Sequence, residues 1–266
     1  MGAVYEATDL ALRRKTAVKV IRHDRSADPR SARRFRREAQ SVASFSHPNV
    51  VTVFDFGVAG GETLFLVMER LEGESLQERI RRAGRLAPAE AMELMDGITA
   101  GIGSAHEAQL VHRDLKPANI FLHRQGDGVT PKILDFCLVK ALAEKEGDSD
   151  FDSRTGAVLG TPGYVSPECL RNDPPAPSWD LWGLGVVAFE MLTGERPFQG
   201  QSMATVQLDV LLGRARPLES HLPEAPAALG RFFVRALDPE PERRPPTAAE
   251  FYDELLDAIG SWSPSG

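Results

Sequence analysis

The sequence predicts an α+β protein in which β-strands precede helices along the chain. Residues 4–69 contain short apolar runs rich in β-branched and aromatic residues, whereas apolar residues from 75 onward recur at helical spacing. Runs of strands followed by runs of helices are typical of the α+β class. With 266 residues, 42% of them hydrophobic, the chain can bury a substantial core and form one or two domains.

Four strands are predicted in the first 70 residues, as two hairpins with a helix between them. The helix is expected over residues 31–44, and Gly60-Gly61 is a turn signal between the last two strands. Residues 71–73 then leave the sheet and connect it to the helical part. The predicted strands cover residues 4–8, 15–21, 50–56 and 63–69.

The rest of the chain is predicted to be mainly helical, with two short strands at 120–122 and 132–134. Pro88 suits the first turn of a helix, and Thr247 with Glu250 has the spacing of a capping box. Residues 141–157 are polar and acidic and predict a loop. The helices are expected at 75–83, 88–107, 178–193, 202–213, 225–236 and 247–259.

Composition argues against several classes of protein. The net charge of −7 does not indicate a nucleic-acid partner; the basic run from Arg30 to Arg37 is either a solvated helix face or a contact for an acidic or phosphorylated segment. Two cysteines give no disulfide framework and fit a reducing cytoplasm. No stretch reaches the ~18 apolar residues of a membrane span, and no signal peptide is predicted.

The most specific pattern is residues 112–119, H-R-D-L-K-P-A-N, followed by D-F at 135–136. It resembles the catalytic loop H-R-D-L-x-x-x-N and the metal-binding D-F-G of protein kinases. The resemblance implies a two-lobed kinase fold with a small, mostly β N-lobe and a larger helical C-lobe. On that basis residues 1–71 form the N-lobe and hinge and residues 72–260 the C-lobe, with the activation segment at 135–168 and a linker or tail beginning at 261–266.

The residue types in this pattern suit phosphoryl transfer from ATP. A hydroxyl that attacks ATP needs a carboxylate to orient it and to accept its proton, which suits Asp114. Asn119 and Asp135 offer hard oxygen ligands for Mg²⁺ or Mn²⁺ on the phosphates. Lys116, two residues after Asp114, can reach the transferred phosphate.

The resemblance extends over most of the chain. Lys19, in the run A-V-K, is similar to the strand lysine that pairs with the α- and β-phosphates, and Glu38 lies where its helical partner is expected. Asp180 and a pair between Glu168 and Arg244 are implied to stabilise the helical lobe. In its motifs the chain most resembles bacterial serine/threonine kinases of the eukaryotic type.

An adenine pocket is implied at the hinge. Met68 would form its back wall as the gatekeeper, and Glu69 and Leu71 would offer backbone groups to the base. The other residues assigned to the nucleotide are Gly2 and Val4 of the glycine-rich loop, Ala17 beside Val4 in the roof, and Phe121 in the floor.

Phosphorylation of the activation segment is also implied. Arg113 would hold a phosphate there through charge-assisted hydrogen bonds. Thr155 is the first candidate phosphosite, gained by autophosphorylation, and Ser153 the second; the alternative is a solvated loop threonine. Thr161 is interpreted as a structural hydroxyl near the catalytic loop.

Two positions depart from the family pattern. Gly2 and Val4 match the third glycine and the valine of G-x-G-x-x-G-x-V, and the earlier glycines and strand have no counterpart. Cys137 stands where D-F-G has its glycine, which restricts the backbone there. We therefore expect a cytoplasmic serine/threonine protein kinase of weakened activity acting on protein hydroxyls. The alternatives are a pseudokinase that acts as a scaffold or binding module and a fragment of a longer receptor-type kinase.

Overall fold

The structure is a computed structural model that describes residues 2–22, 40, 42–59, 63–126, 128–136 and 163–262. Within this part of the chain, strands come first and helices follow, which confirms the predicted α+β class. The first sheet is antiparallel and contains β1 (Gly2–Asp9), β2 (Arg14–Arg22), β3 (Val53–Ala59) and β4 (Thr63–Glu69), in the order β1-β2-β4-β3.

The third strand begins later than the predicted residue 50, and the reason is a second bonding partner. Val51 donates its N–H to the carbonyl of Ile133 at 3.0 Å, and Val50 forms a parallel bridge with Ile133. These backbone groups are therefore bonded to the other sheet, and pairing with β4 starts only at Val53. These bonds are one link between the two sheets. The other is the chain itself, which passes from the first sheet to the second at residues 70–72.

The second sheet contains β5 (Gly73–Ser75), β6 (Ile120–Gln125) and β7 (Gly128–Ile133), in that order. β6 and β7 are longer than predicted, and β5 was not predicted because three residues carry no periodic pattern. Gly73 has a φ of +143°, and a Cβ there would lie 2.0 Å from the carbonyl oxygen of Leu122. Glycine is therefore required where the chain enters this sheet.

Every helix predicted from residue 75 onward is present. Ser75 caps the first through a capping box with Glu78, Pro88 begins the second, and the Thr247 hydroxyl accepts the N–H of Glu250 at 3.1 Å as predicted. The α-helices of the described residues are α1 (Leu76–Ala83), α2 (Pro88–Glu107), α3 (Pro167–Leu170), α4 (Pro177–Thr193), α5 (Met203–Leu211), α6 (Ala227–Ala236) and α7 (Ala248–Ile259).

Helix α4 forms the centre of the helical part and carries the catalytic loop on its surface. Its residues from 180 to 189 are all buried. A Cβ on Gly183 would lie 2.9 Å from the Leu115 Cβ, so the absence of a side chain lets the loop pack directly on the helix. Across the described residues, none of the helices has both the length and the apolar character needed to cross a bilayer.

Candidate active site

Three residues of the 112–119 motif meet at one carboxylate. Lys116 Nζ lies 2.7 Å from Asp114 Oδ2, and Asn119 Nδ2 donates to the same oxygen at 3.1 Å and to the Asp114 carbonyl at 2.8 Å. The side chain of Asp114 remains 29% exposed, so an incoming hydroxyl can reach it. Because the amide nitrogen of Asn119 is engaged, its amide oxygen is the atom left for a cation.

The buried carboxylate of Asp180, on α4, accepts hydrogen bonds from the backbone of the loop. This side chain is 0% exposed and accepts the N–H of His112 at 2.7 Å and of Arg113 at 2.8 Å. His106 Nε2 makes a third contact at 2.8 Å. Arg113 adopts a φ of +67°, which costs about 1–3 kcal/mol for a non-glycine residue. Asp180 stabilises this conformation because it aligns both amides on one carboxylate.

His112 is buried, and its contacts fix its tautomer. Its Nδ1 accepts the N–H of Asp114 at 3.2 Å, so Nε2 carries the proton and donates to the carbonyl of Leu134 at 2.7 Å. The ring of Phe136 packs edge-on against it with centroids 4.8 Å apart. The catalytic loop and the segment that carries Asp135 are therefore connected through one imidazole.

Lys19 and Asp135 are in direct contact across the cleft. Lys19 Nζ, on β2, lies 2.5 Å from Asp135 Oδ2, and the two side chains are 15% and 24% exposed. The sequence assigned both residues to the phosphates and metal of ATP but did not predict that they touch. Asp135 has a φ of +62°, in the left-handed region, which aims its carboxylate away from the extended path of β7.

The two residues assigned to Mg²⁺ lie on neighbouring segments of the chain. The Asp135 carboxylate and the Asn119 amide lie on segments joined by a 2.8 Å bond from the Leu134 N–H to the Asn119 carbonyl. The described residues contain no group of three or more His, Cys, Asp and Glu residues that could hold a metal by themselves.

The residues assigned to the adenine pocket lie on both sheets and on the segment that links them. Ala17 pairs with Met68 across β2 and β4, and Met68 is only 8% exposed. The N–H of Glu69 is bonded to the Thr52 carbonyl at 2.9 Å, so only its carbonyl is left for a base. The remaining members of the pocket are Gly2 and Val4 on β1, Phe121 on β6, and the partly buried Leu71.

Arg113 lies beside the segment that begins at residue 163. It lines a small cavity together with Tyr164, Ser166 and Cys169. Its predicted phosphate partner is not among the described residues. Several predictions fall on residues outside the described part of the chain. They are the basic run from Arg30 to Arg37, most of the helix at 31–44, the loop at 141–157, and the residues Glu38, Cys137, Ser153, Thr155 and Thr161.

A second carboxylate, half-buried and not predicted from the sequence, pairs with Tyr164, a residue that lines this cavity. The hydroxyl of Tyr164 donates to Glu190 Oε2 on α4. Burial raises the pKa of Glu190, while the hydroxyl of Tyr164 and the charge of Arg196 oppose that rise. Burial, and then the charge of Glu190, raise the pKa of Tyr164 as well. A tyrosine hydroxyl alone gives no sequence signal for such a partner 26 residues away.

The predicted pair between Glu168 and Arg244 is confirmed as a buried, bidentate contact. Arg244 donates to the two carboxylate oxygens of Glu168 at 2.9 and 2.8 Å. It touches no cleft residue, which agrees with a purely stabilising role.

Comparison with known proteins identifies the family. The model of the protein kinase domain matches residues 1–257. Serine/threonine-protein kinase PrkC of Bacillus subtilis is 36% identical over 259 residues, which cover 97% of this chain and 39% of PrkC. PknB of Mycobacterium tuberculosis is also 36% identical over 259 residues, which cover 96% of this chain and 40% of PknB. The chain thus spans about two fifths of the length of these relatives.

Solved structures share the fold. The kinase domain of Mycobacterium tuberculosis PknI superposes with a TM-score of 0.75 at 24% identity, covering 98% of this chain and 91% of that one. Rad53 in complex with AMP-PNP also gives a TM-score of 0.75, at 26% identity, covering 96% of this chain and 62% of that one. With its small antiparallel sheet above a helical lobe, this chain belongs to the protein kinase domain family.

Proposed function

We propose that this chain transfers the γ-phosphoryl group of ATP to serine or threonine hydroxyls of proteins. The observation that carries the proposal is the cluster at Asp114, where Lys116 and Asn119 converge on one exposed carboxylate. The names of the relatives PrkC and PknB, both serine/threonine-protein kinases, favour these hydroxyls over that of tyrosine.

In this mechanism Asp114 orients the substrate hydroxyl and accepts its proton as the hydroxyl attacks. The ammonium of Lys116 and the amide of Asn119 hold that carboxylate in one orientation, and the ammonium also places positive charge beside the transferred group. Because the transition state is loose, positioning and charge stabilisation provide most of the rate enhancement.

On the nucleotide side, Asn119 and Asp135 would hold Mg²⁺, which bridges the phosphates and neutralises their charge. Lys19 would contact the α- and β-phosphates. Because Lys19 now lies 2.5 Å from Asp135, binding of ATP would exchange this contact for one with phosphate oxygens. Both side chains are partly exposed, so the exchange requires no unfolding of a buried pair.

The test is autophosphorylation of the purified chain with radiolabelled ATP and Mg²⁺, followed by mass spectrometry. We expect weak labelling, with phosphate on Thr155 ahead of Ser153, and none in Asp114→Asn. Asp257→Asn, an exposed aspartate on α7, is the matched control and should label like the wild type. Labelling that survives in Asp114→Asn would disprove the base assignment. A wild type that binds a partner protein but never labels itself or an added substrate would favour the pseudokinase alternative.

A further inference from the structure

A partly buried ion pair joins the two sheets directly behind the adenine pocket. Lys132 Nζ, on β7, lies 2.8 Å from Glu69 Oε1, at the end of β4. The same oxygen accepts the N–H of Thr52 at 2.8 Å, and the Glu69 N–H returns a bond to the Thr52 carbonyl at 2.9 Å. Glu69 is therefore fixed at both its backbone and its side chain.

The positions of the two residues connect opposite sides of the cleft. Glu69 directly follows Met68, the back wall of the adenine pocket. Lys132 pairs with Phe121, the floor, across β6 and β7, and precedes Asp135 by three residues. The ion pair thus bridges the wall that would contact the base to the strand that leads to the metal carboxylate.

Among the described residues, Glu69 is the carboxylate that pairs with Lys132. His47 lies nearby, and its pKa is lowered first by burial and then by the charge of Lys132. The Nδ1 of His47 accepts the N–H of Asn49 at 3.1 Å, which requires an unprotonated nitrogen at that position. The side chains of Lys132 and Glu69 are only 12% and 21% exposed, so solvent screens the pair weakly.

We propose that Glu69 and Lys132 act as a positioning pair that sets the distance between the hinge and the floor of the adenine pocket, and so the affinity and selectivity for adenine. The inference rests on the nucleotide-binding role proposed for this cleft. Without the pair, the sheets are joined here by residues 70–72 and by the bonds of Val51, Glu69 and Ile133. A displacement of ~1 Å in an active site can lower the rate or affinity 100-fold.

The experiment measures binding of Mg-ATP and Mg-GTP by calorimetry, together with KM and kcat, for Lys132→Met, Lys132→Arg, Glu69→Gln and the double variant Glu69→Gln/Lys132→Met. The matched control is Lys15→Met, because Lys15 also forms a lysine–glutamate pair, with Glu6, but at the surface, 62% exposed. Circular dichroism establishes that each variant is folded.

We expect Lys132→Met and Glu69→Gln each to weaken ATP about five- to tenfold and GTP less, so that the preference for ATP narrows, with kcat at saturating ATP changed less than about threefold. These fold-changes correspond to ~1–1.4 kcal/mol. The ATP affinity of the double variant should lie within about twofold of that of the single variant with the lower affinity, because each single substitution already removes the same interaction. Lys132→Arg should restore affinity to within about twofold, and Lys15→Met should match the wild type.

Unchanged nucleotide affinity in folded Lys132→Met or Glu69→Gln would overturn the inference, even if their melting temperature fell, because the pair would then be only structural. A rise in kcat with unchanged affinity would also overturn it, since the pair would then restrain lobe movement instead of shaping the pocket. A wild type that binds neither nucleotide would overturn both this inference and the proposed function.

Discussion

Two ion pairs in different regions of the molecule have opposite characters. In the helical lobe, all five N–H groups of Arg244 are engaged, two with Glu168 and three with the carbonyls of Ser178, Asp238 and Pro239. In the cleft, the Lys19 ammonium contacts one carboxylate oxygen among the described residues, that of Asp135, and both side chains are partly exposed. Arg244 is 1% exposed, so no ligand can reach it.

The difference shows how a stabilising ion pair is distinguished from a pair available for chemistry. A buried guanidinium whose donors are all satisfied cannot exchange partners without a large desolvation penalty. An ammonium with three donors that makes one short contact at the rim of a cleft can add or exchange acceptors at little cost. A charged group that is available for chemistry is therefore recognised by hydrogen-bond donors that can take new acceptors, more than by the length of its ion pair.

The largest effect on stability is expected when the buried pair is broken. Arg244→Met leaves Glu168 as an uncompensated buried carboxylate and should lower the free energy of unfolding by ~3–5 kcal/mol. Urea denaturation measures this. The double variant Glu168→Met/Arg244→Met removes both charges and should be more stable than Arg244→Met alone. A double variant that is less stable would contradict the argument from uncompensated charge.

Breaking the cleft pair should have the reverse profile. Lys19→Met should lower kcat/KM for phosphorylation about 100-fold or more, because one preorganised cationic donor is lost. Its free energy of unfolding should fall by less than that of Arg244→Met, because the Asp135 carboxylate left behind is 24% exposed and can be hydrated, whereas Glu168 is only 5% exposed. Steady-state kinetics and urea denaturation of the same preparation test both halves. Equal activity of variant and wild type would remove Lys19 from the site.

A contact of intermediate character sharpens the comparison. Tyr164→Phe removes the hydroxyl that donates to the half-buried Glu190 and should cost ~1.5–3 kcal/mol. Burial already holds the pKa of Glu190 above its ordinary value of 4.5. The native state therefore binds more protons than the unfolded chain above that value, and stability falls as the pH rises through this window.

Loss of the Tyr164 hydroxyl raises the pKa of Glu190 further, so the stability of Tyr164→Phe should fall more steeply with pH than that of the wild type. Thermal melts between pH 4.5 and 7.5 measure both slopes. Parallel slopes would show that Glu190 does not sense the hydroxyl.

The smallest effect is expected three residues from Arg244. Thr247→Ala removes the hydroxyl that caps α7 and should cost ~1 kcal/mol, the usual value for an N-cap. Thr247→Ser keeps the cap and is the control. If Thr247→Ala cost as much as Arg244→Met, the loss at Arg244 would reflect general weakness of this region and not the buried pair.

The sequence predicted what neighbouring residues determine by themselves. Asp114, Lys116 and Asn119 lie within six residues, so the motif predicted that they belong to one site, although it did not predict that Lys116 and Asn119 bond to the Asp114 carboxylate. The long helices were predicted because their apolar spacing and caps are local. The pair of Glu168 and Arg244 was available only through the family resemblance, since 76 residues separate its members.

Contacts that arise when the two sheets meet could not be predicted. Lys19 and Asp135 are 116 residues apart, and Glu69 and Lys132 are 63 apart. Each of these side chains is compatible with an ordinary exposed charge when its strand is considered alone. The late start of β3 has the same origin, because Val50 and Val51 are apolar and β-branched yet pair with β7 instead of β4.

The carboxylate of Asp180 has a consequence for how the catalytic loop opens. The amide protons of His112 and Arg113 end on a side chain that no solvent reaches. They can exchange with deuterium only when α4 separates from the loop, which requires disruption of the core of the helical lobe. Their exchange should therefore be as slow as that of the core of α4, although they belong to a loop without regular secondary structure. The free energy needed to open the catalytic loop locally should therefore equal that needed to open the core of the helical lobe.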